Sequence, residues 1–315
     1  MDTTTKPSIL VISSMVADGS VGGRVVSFAL ERLGFPTWFV PTVTLPRHPG
    51  RVPSVRTDTP EALFEGLLAD MVLLSKSRPV AAILTGYIGY PRQAKLIADA
   101  IAEIRKTHPD LLHLCDPVLG DQVSEEKAGL YIAEETAKAI REKLWNICDI
   151  ATPNVFELNW LCSTGLANIQ NQPTPDTIKS LAANAAPDTI AVTSVPGLMN
   201  NHIGNLMVRG DNPALLFEHL AMRRAPHGTG DLFAALLLGH LLLSDNLEVA
   251  MERASSCLFE LTARAAKSGL DDLPIIAEQA TLERPMAMIA KRIIGAAKPK
   301  PIGTKKRVVF KPSAL

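Results

Sequence analysis

Residues Ala225 to Leu242, APHGTGDLFAALLLGHLL, put an acid inside a glycine turn that opens an apolar helical run. Gly228, Thr229 and Gly230 let backbone N–H groups converge on one point, and the helix that follows adds the positive end of its dipole. That makes an anion hole suited to phosphate. Asp231 would repel a phosphate that was merely bound there, but an acid fits if it must take a proton from a hydroxyl attacking that phosphate. The other reading of Asp231 is a simple helix cap.

Two more clusters carry oxygen ligands. In CDPVLGD, Cys115 to Asp121, the carboxylates Asp116 and Asp121 bracket a Pro and a Gly. They either organise a metal or water near a triphosphate or mark an Asp-Pro turn. In ATPNVFEL, Ala151 to Leu158, Thr152, Asn154 and Glu157 share one short stretch. Mg²⁺ takes few protein oxygens and keeps several waters, which suits Asn154 and Glu157 in an outer role. Helix initiation explains the same spacing, with Thr152 as cap and Pro153 in the first turn. Lesser polar pairs are Ser13-Ser14, Thr85-Gly86-Tyr87 and Thr193-Ser194.

Each cluster follows a short apolar run. The runs Ile9 to Ile12, Thr37 to Val40, Val80 to Leu84, Leu111 to Cys115, Ile147 to Ala151 and Thr189 to Val192 read as strands. Between them, helical spacing covers Val25 to Leu33 (stopped by Gly34), 61–76, 92–106, 133–145, 232–243 and 247–267. The βαβα alternation predicts an α/β fold with a predominantly parallel central sheet, helices on both faces and right-handed crossovers. In such sheets ligands bind beyond the carboxyl ends of the strands, where five of these clusters fall.

Met207 to Leu220 predicts a β-hairpin turning at Gly210-Asp211-Asn212. The stretch Pro41 to Pro60 holds five prolines with Arg47, Arg51 and Arg56 among them. Proline at that density excludes regular helix, so the segment reads as a surface loop or flap at the sheet edge. Residues 1–297 read as one domain, and the Lys- and Pro-containing stretch 298–315 as a disordered basic tail.

The bulk properties exclude several classes. The chain has 315 residues, with 32 Lys plus Arg balanced by 32 Asp plus Glu. That zero net charge argues against a nucleic-acid or anionic-membrane partner. The cysteines Cys115, Cys148, Cys162 and Cys257 form no metal spacing and read as reduced, buried thiols. The N-terminal apolar run is too short for a signal peptide and no stretch has the length of a membrane span; a cytoplasmic location follows. There is no GxxxxGK[ST], no HRD or DFG set, and no GxGxxG after the first strand.

CDPVLGD, TPNVFE and GTGDLFAALLL, in that order, with LTGY (Leu84 to Tyr87) and the opening ILVISS, resemble the pyridoxal kinases, a branch of the ribokinase superfamily. The resemblance runs from about Ile9 to Lys267. It implies a ribokinase-like fold and ATP-dependent phosphorylation of pyridoxal and related B6 vitamers, with Mg²⁺ or another divalent ion, K⁺ as a helper, and a homodimer. It also implies roles. Asp231 is the base, and Gly228, Thr229 and Gly230 form the anion hole. Asp116, Asp121, Thr152, Asn154 and Glu157 lie around metal and ATP phosphates, with Asp116 and Glu157 nearest the metal. Thr193 and Ser194 meet ATP, while Ser14, Tyr87 and His48 hold the pyridine ring.

The chain departs from that pattern in two places. Where the family has a GYVGN- or GHVGN-like stretch, this chain has Asp18-Gly19-Ser20-Val21-Gly22-Gly23, and where the flap reads SNHT it has Pro46-Arg47-His48-Pro49. Both changes lie on the vitamin side and leave the phosphate chemistry intact. His227-Gly228-Thr229-Gly230 is also similar to hydroxymethylpyrimidine kinases, which carry Cys at the position of Asp231. The alternatives are therefore a kinase for another hydroxymethyl heterocycle or a sugar, and a non-catalytic B6-binding protein on the same scaffold.

Overall fold

The structure is a computed structural model that describes residues 6–48, 55–124, 127–162, 173–210, 212–222 and 225–295. The chain begins with β1 (Ser8–Asp18), α1 (Gly22–Arg32), β2 (Thr37–Arg47), β3 (Thr57–Asp58), α2 (Glu61–Ser75), β4 (Val80–Thr85), α3 (Pro91–Arg105) and β5 (Leu112–Cys115). A small hairpin of β6 (Gly120–Ser124) and β7 (Lys127–Leu130) follows, then α4 (Glu134–Ile140), whose last turn is π-helical over Arg141–Trp145. The rest comprises β8 (Ile150–Ala151), α5 (Val155–Cys162), α6 (Pro175–Ala182), β9 (Thr189–Pro196), β10 (His202–Arg209), β11 (Ala214–Leu220), α7 (Thr229–Ser244), α8 (Leu247–Ser268), α9 (Gln279–Glu283) and β12 (Ala290–Ile294).

Ten strands form one sheet in the order β12-β11-β10-β9-β8-β5-β4-β1-β2-β3. The centre, from β9 to β2, is parallel throughout. Antiparallel strands close both edges, β10 to β12 on one side and β3 on the other. The central strands are apolar on both faces because both are covered. Leu10, Ile12 and Ile83 pack into the layer that includes α2, α3 and α4. Ile9, Val11, Ala82 and Leu84 face the layer of α1, α7 and α8. The alternation has the two-residue period of a pleated strand. Helix α7 is apolar around its whole circumference, with Leu232 through His240 all buried. That pattern belongs to a helix enclosed on every side.

The structure extends several sequence expectations. The strand expected at Thr37 to Val40 runs on to Arg47, so the first part of the proline-rich segment is strand rather than loop. β3 pairs with β2 only at Val43 and Thr44, so Pro41 and Pro46 never have to donate to an antiparallel neighbour, the condition under which sheets tolerate proline. The segment is thus a flap with two β arms, β2 outward and β3 back; its centre, 49–54, lies outside the described residues. β8 is shorter than expected, because the N–H groups of Ile147 and Cys148 both fold back to Leu144 O. The hairpin at Met207 to Leu220 forms as β10 and β11, with Asp211 outside the described residues. Gly34 ends α1 with φ 86°, a left-handed position suited to glycine. The expected tail, 298–315, also lies outside the described residues.

Candidate active site

Because the central strands are parallel, the clusters that follow β4, β5 and β8 meet at one edge of the sheet. The structure adds a refinement at β1 and β9, where the polar pairs sit inside the strands, at bulges. Two steps along β1, from Ser13 to Met15, oppose three along β2, from Pro41 to Thr44. On β9 the irregularity falls at Thr193-Ser194, opposite the Gly204 to Leu206 step of β10. Bulges re-aim side chains and are enriched beside active sites.

The anion hole forms as the glycines require. Gly228 is the N-cap of α7 with φ 84°. A Cβ there would stand 2.1 Å from Ser20 O, a backbone atom, so only glycine fits. Leu232 makes the first helical bond, to Gly228 O (3.0 Å). The N–H groups of Thr229, Gly230 and Asp231 precede it, in the first turn where helical acceptors are missing.

Asp231 does not cap its own helix with its side chain. Its Oδ2 accepts the N–H of Gly22, across the site at the start of α1, at 2.9 Å. Burial pushes the Asp231 carboxyl up to about 6, and the Gly22 N–H opposes that rise. Gly22 has φ 60°, and a Cβ there would lie 2.4 Å from Ser14 Oγ and 2.8 Å from Ser14 O. Gly22 thus sits between Asp231 and Ser14. In the sequence the Gly22-Gly23 pair stands out only as a departure from the family pattern; the signal it carries is two small residues that open a helix.

Asp116 and Thr152 come together, with Thr152 Oγ1 donating to Asp116 Oδ1 at 3.1 Å. Desolvation raises the Asp116 carboxyl well above its ordinary value, and repulsion from Asp231 and then Glu157 adds to the rise. Glu157 is 4% exposed. Its Oε1 accepts from the backbone of Leu119 (2.7 Å) and Gly120 (3.4 Å), and its Oε2 from Asn154 N (2.8 Å). Asn154 Oδ1 accepts in return from Glu157 N (2.8 Å), so the pair forms a reciprocal capping box for α5. Burial lifts Glu157 to about 7 while those three N–H groups pull it down. A helix does start at TPNVFE, but Asn154 rather than Thr152 caps it and Pro153 lies ahead of its first turn, because the Thr152 hydroxyl is turned to Asp116; the same box clamps the Asp116 loop through Leu119 and Gly120. Asp121 sits beside this pair on β6 and bonds its neighbour's N–H, Gln122 N (2.8 Å). Val118 (φ 44°) and Ser194 (φ 58°) are left-handed without being glycine, a strain that tends to collect at functional sites.

The acidic group fits a cation. Asp231 and Glu157 each repel Asp116, and a cation beside Asp116 would relieve that repulsion. Among the described residues no three His, Cys, Asp or Glu side chains form a metal cage of their own.

Tyr87 packs against the small cluster of Val16, Val21, Val43 and Leu45. Its carbonyl accepts from Thr42 Oγ1 of β2 at 2.7 Å, and its hydroxyl from Arg56 Nη1 at 2.8 Å. Ser14 is buried beneath Gly22. His48, at the end of the outward flap arm, stacks on His227 of the anion-hole loop with ring centroids 4.2 Å apart. The flap arm therefore reaches the loop that leads into Gly228. Arg56 and His227 were not picked out from sequence as site residues, because the contacts that involve them lie across the fold. The structure brings together Asp231, Gly228, Thr229, Gly230, Ser14, Asp116, Thr152, Asn154 and Glu157, and places Tyr87 and His48 along the adjoining wall. Thr193 N bonds Pro153 O (2.9 Å), which joins Thr193-Ser194 to the same edge.

The chain is similar to known proteins. A profile of the phosphomethylpyrimidine kinase family matches residues 55–275. A pyridoxine/pyridoxal/pyridoxamine kinase of Bordetella avium is 34% identical over 262 residues, 81% of this chain and 84% of the relative. A pyridoxal kinase of Leifsonia xyli is 30% identical over 299 residues, 91% of this chain and 99% of the relative. Among solved structures, a pyridoxal kinase from Leishmania donovani in complex with ADP and pyridoxamine superposes with a TM-score of 0.78 at 26% identity, covering 92% of this chain and all of that one. By this profile match and these relatives, the chain belongs to the pyridoxal kinases of the ribokinase superfamily.

Proposed function

We propose that the protein transfers the γ-phosphoryl group of ATP to the 5′-hydroxyl of pyridoxal, forming pyridoxal 5′-phosphate and ADP. The observation that carries this reading is Asp231, an acid with a raised carboxyl set in the first turn of a helix that otherwise favours anions. With Oδ2 held by Gly22, Oδ1 accepts the hydroxyl proton as the oxygen attacks phosphorus and ADP leaves. The N–H groups of Thr229, Gly230 and the α7 terminus face the charge on the transferred phosphoryl group. In such reactions positioning and charge neutralisation supply most of the rate.

Mg²⁺, with K⁺ as a helper, would neutralise phosphate charge, held through Asp116 and, through water, by Glu157 and Asn154. Thr193 and Ser194 adjoin the nucleotide, and Asp121 and Thr152 support the phosphate-side loops. Ser14, Tyr87 and His48 line the ring side. ATP and B6 vitamers are the partners, and the working assembly is a homodimer. Within the described residues no helix is long and apolar enough to cross a membrane. The test is a panel of pyridoxal, pyridoxine, pyridoxamine, a hydroxymethylpyrimidine and simple sugars, scored by ADP release. Pyridoxal or a sister vitamer is expected to give the highest kcat/KM; a sugar or pyrimidine in first place would replace this reading.

The pH profile follows from Asp231. The base works only when deprotonated, and burial raises its carboxyl to about 6. Below that pH, kcat/KM should fall about tenfold per pH unit, and above it should level off. A flat profile between pH 5 and 7 would remove Asp231 from the role of base.

The flap should cover the bound ring and keep water from the γ-phosphate. Its prolines restrict the open chain, so closure costs less entropy than it would for a glycine-rich loop. Shortening the segment between Arg47 and Arg56 is expected to raise the KM for pyridoxal and to increase ATP hydrolysis without acceptor. The same KM and the same coupling as the parent would reduce the flap to a connector.

A further inference from the structure

Arg56, on the returning flap arm just ahead of β3, makes an unusual number of contacts for an exposed side chain. Its Nε and Nη2 donate to Asp58 Oδ1 at 2.9 and 2.7 Å, and Nη2 donates also to Gly89 O at 2.9 Å. Its Nη1 donates to the Tyr87 hydroxyl at 2.8 Å, and the guanidinium lies 5.6 Å from the centroid of the Tyr87 ring. The Arg56–Asp58 pair is open to solvent, with 37% and 47% of the two side chains exposed. Pairs of that kind contribute little to stability.

The surroundings are closely bonded. Gln93 of α3, fully buried, donates its Nε2 to Thr42 O (2.8 Å) and accepts Gly89 N on Oε1 (2.8 Å). A Cβ on Gly89 would stand 2.6 Å from Val43 Cγ1 and 3.0 Å from Asp58 Oδ1, so glycine lets the flap arm close on this turn. Tyr87 is thereby held at three points: Thr42 at its carbonyl, the Val16–Val21–Val43–Leu45 cluster against its side chain, and Arg56 at its hydroxyl.

Arginine has donors and no acceptor. In its bond to Arg56 the Tyr87 oxygen must therefore be the acceptor, which leaves the phenol's own proton for a third partner. Lysine cannot reproduce the planar fork that reaches Asp58, Gly89 and Tyr87 together.

We propose that Arg56 is a positioning residue for the acceptor molecule: it fixes the Tyr87 ring against the flap and directs the Tyr87 hydroxyl to donate to a hydrogen-bond acceptor on the bound ring. The proposal rests on Tyr87 lining the acceptor site, as in the proposed function. It also explains how a chain with an altered flap tip and an altered Asp18 to Gly23 stretch keeps a defined ring wall, because the flap's return arm supplies the support.

The test compares Arg56→Met, Arg56→Lys, Tyr87→Phe and the Arg56→Met/Tyr87→Phe double variant with the parent, using pyridoxal, or whichever acceptor of the panel the parent turns over best. Each single variant is expected to raise the acceptor KM about tenfold, the scale of one hydrogen bond to a charged donor or its dependent. The KM for ATP, kcat and the melting temperature should stay near parent values, and the double variant should match Tyr87→Phe alone. Three results would overturn the proposal: an unchanged acceptor KM in Arg56→Met, a parental KM in Arg56→Lys, or a double variant in which the two losses multiply. A parent that ignores pyridoxal but turns over another acceptor contradicts the proposed function alone, since the Arg56 comparison is then read with that other acceptor.

Discussion

Asp231→Asn is expected to lower turnover by roughly 10²–10⁴-fold, the usual contribution of a positioned general base, while ATP still binds. The amide keeps the shape of the side chain and still offers an oxygen to Gly22 N, the contact now made at 2.9 Å. What it loses is the ability to take a proton. It also removes one of the charges that push the Asp116 carboxyl upward, so metal and nucleotide binding should weaken only slightly. Steady-state kinetics with equilibrium ATP binding separate the two effects. A variant with near-parental turnover would leave Asp231 as a partner of Gly22 with a purely structural task.

Glu157→Gln should have two signatures. The carboxylate accepts three backbone N–H groups on two oxygens. An amide has one oxygen, so its NH₂ must face at least one of those donors. A buried donor left unsatisfied costs about 1–3 kcal/mol, so thermal stability should fall. The second signature is metal dependence. Losing an anionic charge next to Asp116 and letting the Leu119–Gly120 turn relax should raise the Mg²⁺ concentration for half activity by roughly 10-fold or more, the range found for outer-shell partners of metal sites. A lower melting temperature with an unchanged metal titration would make Glu157 a capping-box residue only.

The site was legible where chemistry and backbone demand share the same few residues. Gly228-Thr229-Gly230-Asp231 announced itself because a phosphate needs converging N–H groups and those need glycine. The parallel sheet was legible because buried strands such as Ile9 to Ile12 must be apolar on both faces. What remained hidden depends on long-range pairing. The Gly22–Asp231 bond spans 209 positions of sequence, and no local pattern announces it. β12 is an edge strand with exposed Lys291, Arg292 and Ile293, so it lacks the apolar run that marks an inner strand. The extension of β2 through Pro41 and Pro46 was hidden because proline argues against a strand unless one knows how short its neighbour β3 is. Arg56 looked like one of several scattered flap charges, and only the return of the flap onto the β4 loop gives it Tyr87.

The most direct measurement of the central claim follows the label. The purified protein is incubated with ATP carrying an isotope in its γ-phosphate, Mg²⁺ and pyridoxal, and the products are separated. The account predicts label on the 5′-oxygen of pyridoxal, in one-to-one ratio with ADP, and almost none with Asp231→Asn. Label that appears only as inorganic phosphate, or not at all, would contradict it.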